Sequence, residues 1–197
     1  MAQSSYLLAA DPAVDLAVVT EMAHELQTYI VNDDLYRTVV VRTPAGEQRI
    51  RMTGGDLLAR LYRLQHDRTN LTPEQQAQLD AVQSSVDDTI YSLRTRFHER
   101  LQRELSTRLN SLSWFLDDCN KDRQRCRVDF PFEIRNRQRI EEILKELDAN
   151  LDDEMRTRLQ QVDQRIRRVA RSSGFIWDER LQHIFPQHPY WYLYMSP

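Results

Sequence analysis

Glycine is nearly absent from this chain: four in 197 residues, with none between Gly55 and Gly174. A glycine-free stretch of that length excludes most turn-rich sheet architectures and points to continuous helix. Lysine is scarcer still, Lys121 and Lys145 being the only two, so the positive charge is almost all arginine. That bias suits phosphate recognition, but it also suits a GC-rich genome, which is the reading favoured here.

No run reaches the 18 or so apolar residues that span a bilayer. The first positive charge is Arg37, so the basic start of a secretory signal is missing. A cytoplasmic protein without a membrane segment is expected. The two cysteines, Cys119 and Cys126, match neither a C-x-x-C redox pair nor a zinc half-site, and read as two ordinary thiols near a helix end. Positive charge is missing from residues 1–36, which hold six acids. The remainder holds 27 basic and 24 acidic residues, for a net charge of −3 overall. Walker, Rossmann, G-x-S-x-G and H-E-x-x-H signatures are all absent, so no enzyme class is indicated.

What is present is helical periodicity. Asp11-Pro12 is an N-cap followed by proline, and Leu16, Val19, Ala23, Leu26 and Ile30 then form one stripe. Residues 36–43 and 47–53 are β-rich and flank Pro44-Ala45-Gly46, which predicts a hairpin. Such a ribbon is marginal alone and must pack on helices or pair with another chain. Gly54-Gly55-Asp56 opens a short helix. Thr72-Pro73-Glu74-Gln75 has the form of a capping box, and the stripe from Leu79 to Leu116 predicts one helix from Thr72 to Asp118, about 70 Å long. A polar connection over Cys119–Glu133 follows, anchored by Phe130-Pro131-Phe132.

A second stripe from Ile140 to Val169 has a weak join at Ala149-Asn150, and Ser172-Ser173-Gly174 ends it. A short helix around Trp177–Phe185 and an aromatic tail complete the chain. A turn near residue 126 would set the acidic run 141–154 against Arg100, Arg103 and Arg108. It would set the basic run 156–171 near Asp80, Asp87 and Asp88.

Few residues suggest chemistry. Glu21 and His24 have the E-x-x-H spacing of di-iron helices, but a second copy is missing, so neither metal nor cofactor is expected. Phe97–Leu105 (FHERLQREL) resembles the phosphoacceptor segment of sensor-kinase dimerisation helices. That resemblance implies His98 as phosphoacceptor, oriented by Glu99. It covers nine positions, and no glycine-rich ATP-binding region follows. Arg123, Arg125 and Arg127, with Phe130 and Phe132 interleaved, are candidates for partner binding, as are Trp191 and Tyr192 in the tail. The tail as a whole is expected to dock on its own core. Nucleic acid is disfavoured by the intervening acidic run.

The expectation is therefore a mainly α single domain over 1–197. It comprises an N-terminal helix, β-hairpin and short helix (1–70), a long antiparallel helical hairpin (72–172), and a short helix with the tail (175–197). The expected function is a non-enzymatic interaction or scaffolding protein that forms a homodimer and binds an unknown protein partner. The alternative is a regulatory phosphotransfer-type or nucleic-acid-associated bundle.

Overall fold

The computed structural model describes residues 11–43, 46–148 and 151–197. The expected turn residues Pro44 and Ala45 and the join Ala149-Asn150 lie outside them. The fold is mainly α with a small antiparallel hairpin near the N-terminus. The chain forms two compact units, one ending at Glu104 and one covering Leu105–Pro197.

In the first unit, α1 (Pro12–Val31) starts at Asp11, whose carboxylate accepts from the Ala13 N–H at 2.9 Å. Its buried stripe runs Leu16, Val19, Met22, Leu26, Tyr29 and Ile30. β1 (Arg37–Thr43) and β2 (Gly46–Met52) pair in register, Val39 opposite Ile50 and Arg37 opposite Met52. One ribbon face buries Val39, Val41, Ile50 and Met52, so helix packing supplies the support that a lone ribbon lacks.

α2 (Gly54–His66) is capped by Thr53, which accepts from the Asp56 N–H. Gly54 is closely packed: a Cβ there would lie 2.6 Å from Leu101 Cδ2 and force that side chain to shift. α3 (Pro73–Ser92) has the complete Thr72–Gln75 capping box.

The helix expected from Thr72 to Asp118 is divided at Leu93, which leaves helical geometry at φ −120 and ψ 24. Just before the break, Thr89 Oγ1 and Ser92 Oγ each donate 2.8 Å bonds to carbonyls four residues back. Such back-bonding bends helices. α4 (Arg94–Lys121) takes up the stripe again, burying Phe97, Leu101, Leu105, Leu109, Leu112 and Leu116. It contributes its first residues to one unit and its remainder to the other.

In the second unit, the polar connection expected at 119–133 is mostly helix: α5 (Arg123–Glu133), with Pro131 inside it. α6 (Arg135–Glu146) continues the direction. Cys119 meets Cys126, Phe115 meets Phe130, and Arg108 Nη1 donates to Asn136 at 2.8 Å. These contacts define an antiparallel hairpin of α4 with α5 and α6 that turns at Asp122 rather than near residue 126.

The second long stripe is two helices. α6 ends at Glu146, Asp148 adopts φ 51, and Asp152 caps α7 (Asp153–Val169) by accepting from Met155 N–H at 2.7 Å. α7 then runs parallel to α4. Arg158 bonds Ser106 and Asn110, and Arg165 bonds Ser113 and Asp117.

The expected charge register is thereby overturned. Arg100 and Arg103 pair with Asp33, Asp80 pairs with Arg68, and the arginines of α7 reach α4. The helix expected around Trp177–Phe185 is a 3₁₀ turn at Glu179–Leu181. Two-residue strands β3 (Arg171–Ser172) and β4 (Met195–Ser196) pair antiparallel and fasten the chain end. Among the described residues, no helix is long and apolar enough to cross a membrane.

Candidate functional site

Most residues singled out in the sequence gather in the second unit, around α5 and the tail. At the α4–α5 corner, Asp122 accepts from the Arg125 N–H at 2.9 Å and starts α5 one residue after α4 ends. The tight turn brings the Cys119 and Cys126 Cα atoms to 4.7 Å, and the two sulfurs form a disulfide. The two ordinary thiols expected from the spacing are therefore a covalent clasp. A six-residue gap looks unlike any pair motif, and it closes only because the chain reverses between two helices.

An open cavity of about 400 Å³ lies beside the disulfide, with Asp118, Lys121, Arg125 and Asp129 on its rim. These charges pair among themselves, Lys121 with Asp118 at 2.8 Å and Arg125 with Asp129 at 3.3 Å. The bonded Lys121 ammonium holds the Asp118 carboxyl below its usual range. All four are exposed or half-exposed, so their pairing adds little stability.

The candidate partner-binding residues separate. Arg123 is exposed, and Arg127 Nε donates to the Pro197 carbonyl at 3.2 Å. Phe130 belongs to the core, whereas Phe132 is 40% exposed. In the tail, Trp191 is half-buried beneath the Arg167 guanidinium, 4.0 Å from its ring centroid. Tyr192 is enclosed in the core, which removes it from the accessible surface.

The tail docks through a polar cluster on α6. Tyr190 Oη donates to Glu142 at 2.7 Å and accepts from Lys145 at 2.6 Å. Gln138 donates to Glu142 at 3.1 Å, and Lys145 pairs with it at 3.0 Å. Burial raises the Glu142 carboxyl, while Lys145 and Tyr190 favour its charged form. Beside it, Arg137 lies 4.9 Å from the Tyr192 ring centroid and bonds Asp163 at 2.7 Å and Glu141 at 2.9 Å. Burial opposes the Arg137 charge, yet these carboxylates hold its ionisation above the usual range. This cluster anchors the tail, and its Lys145 side chain reaches solvent.

In the first unit, His98 is half-buried and engaged with its surroundings, while Glu99 is exposed. Glu104, further along α4, accepts from Thr53 Oγ1 at 2.7 Å and from the Gly55 N–H at 3.0 Å, at the start of α2. Glu21 and His24 lie 3.7 Å apart on the outer side of α1, away from the core.

Two arrangements escaped the sequence reading. Asp15, Arg60, Arg63 and Asp67 form a buried ionic cluster; Asp15 accepts from both arginines, from Arg63 at 2.5 Å. The other is the solvent face of the ribbon, where Arg42, Arg49 and Arg51 stand exposed. Their odd–even placement against Val39, Val41 and Ile50 was legible, but sequence alone does not say which nearby acids are already taken. Among the described residues, no three metal-binding side chains converge. No family model, curated protein or solved structure matches this chain.

Proposed function

We propose that this chain is a non-enzymatic helical interaction or scaffolding protein that self-associates as a dimer and engages a protein partner. The observation that carries the reading is Trp114, 69% exposed on α4 although every neighbouring stripe residue is buried. Tryptophan is costly to leave in water and is enriched at protein interfaces. Val128 and Phe132, one turn apart on α5, add exposed apolar surface in the same unit. The buried charges, by contrast, are committed to holding each unit together.

The phosphotransfer alternative needs an imidazole open to a donor, and half-buried His98 supports it less well. The nucleic-acid alternative at the α5 arginines is weakened by the pairing of Arg125 and the bond from Arg127 to the chain end. The disulfide counts against the cytoplasmic location expected from the sequence, because such bonds persist in oxidising compartments. Alkylation inside intact cells followed by mass spectrometry tests that point.

Native mass spectrometry tests the main reading. A dimer that Trp114→Ala converts to monomer supports it. A wild-type monomer at tens of micromolar sinks the self-association.

A further inference from the structure

We propose that the β1–β2 ribbon is a docking strand for an extended acidic segment of another protein, added along the free edge of β2. The proposal rests on the reading of the chain as an interaction protein and names the chemistry of its partner.

Three observations carry it. First, the ribbon is two-sided: Val39, Val41, Ile50 and Met52 are buried on one face, and the opposite face presents Arg42, Arg49 and Arg51 to solvent. Second, none of these arginines makes an ion pair with a described carboxylate. Across the ladder, Arg51 faces Thr38 and Arg49 faces Val40; Arg42 faces Glu47 but makes no ion pair with it. No described carboxylate forms an ion pair with any of the three, and Arg51 instead lies over the Tyr36 ring, 4.6 Å from its centroid. Nearby acids are already engaged: Glu25 and Asp34 by Arg37, and Asp33 by Arg100 and Arg103.

Third, the sheet has only two strands, and among the described residues neither outer edge makes backbone hydrogen bonds beyond the ladder. An unpaired edge is a template for strand addition.

Charge decides the occupant. Side chains two apart on a strand are about 6.8 Å apart, and a strand added beside β2 brings its own alternate side chains within about 5 Å of them. Glutamate or aspartate at alternate positions would thus pair with Arg49 and Arg51 while the backbones exchange hydrogen bonds. A second copy of the ribbon is the poorer partner: two-fold pairing about Ile50 sets Arg49 against Arg51, pairing about Arg49 sets that arginine against itself, and the single Glu47 of each copy can answer only one arginine. A duplex nucleic acid is also disfavoured. Residues 1–104 carry 15 acids and 11 arginines, so the basic face is a small island on an acidic unit. A phosphate lattice would extend beyond that island, whereas a short peptide stays within it.

The test is fluorescence anisotropy on the full chain with a labelled decapeptide alternating glutamate and threonine. Saturable binding is expected, about fivefold weaker for the glutamine–threonine peptide and for the double variant Arg49→Gln/Arg51→Gln. N-methylation of alternate backbone amides should abolish it. The proposal is overturned by an absence of saturable binding, by a double variant that binds as wild type does, by an N-methylated peptide that binds equally well, or by tighter binding of a 20-base-pair DNA duplex. Failure here beside an intact dimer removes only the ribbon site. Peptide binding by a monomer removes only the self-association.

Discussion

The Asp15 cluster of the first unit and the Glu142 cluster of the second bury charge in opposite ways. In the first, Asp15 sits fully enclosed between Arg60 and Arg63, with Asp67 against Arg63, so the cluster is ionic throughout and joins α1 to α2. In the second, Glu142 is almost as buried but is met by a phenol, an amide and one half-exposed ammonium. The first arrangement depends on complete charge matching, because each ion is out of water and only its partners compensate. The second tolerates partial neutralisation, because burial already drives the Glu142 carboxyl toward its protonated form. One cluster is brittle and the other graded.

Removing the central carboxylate should break this contrast most sharply. Asp15→Ala leaves two buried arginines without their shared counter-ion and is expected to cost about 3–5 kcal/mol. Urea unfolding with hydrogen exchange should show the loss in residues up to Glu104 first. A cost below about 1 kcal/mol would mean that water reaches the cluster.

Tyr190→Phe is expected to be milder, about 1–3 kcal/mol at neutral pH, because Glu142 keeps Lys145 and Gln138. The folded value of Glu142 lies above its unfolded value. Its contribution is therefore complete below the unfolded value and declines as pH rises through the folded one. Since the phenol favours the ionised form, the gap between Tyr190→Phe and wild type should widen from pH 4 to pH 7. Equal gaps at both would show that the carboxylate keeps one state throughout.

Tyr192→Phe should do least. Its hydroxyl is buried without a hydrogen-bond partner among the described residues, so removing it relieves an uncompensated desolvation cost and is expected to stabilise the fold by about 1 kcal/mol. Burial raises the Tyr192 phenol well above 10, so its contribution is complete below its ordinary value and is lost as pH climbs through the raised one. Absorbance titration should show wild type releasing this proton only as it unfolds in alkali. The variant should lack that step.

The tail shows how much of such a site is legible. Its aromatic content predicts docking, and Tyr190, Tyr192 and Leu193 are indeed buried. Which tyrosine finds a partner depends on Glu142 and Lys145, more than 40 residues away in the chain. Asp15 was unreadable for a similar reason. It lies beside the apolar stripe of α1, where an acid reads as a helix-start preference, and its partners come from a different helix.

Periodicity, caps and glycine scarcity determined the helices, the hairpin and the buried stripes, because these depend on local backbone preference and the side-chain repeat. Thr72 and Gln75 form their capping box as the residues alone require. Tertiary structure decided the breaks at Leu93 and Asp148, the turn at Asp122, the parallel course of α7 and the closure of Cys119 onto Cys126. A regular apolar stripe constrains which face is buried but not against what. Only the folded chain chooses among neighbours of nearly equal hydrophobicity, and that choice determines which charges are paired and which, like Arg49 and Arg51, remain exposed.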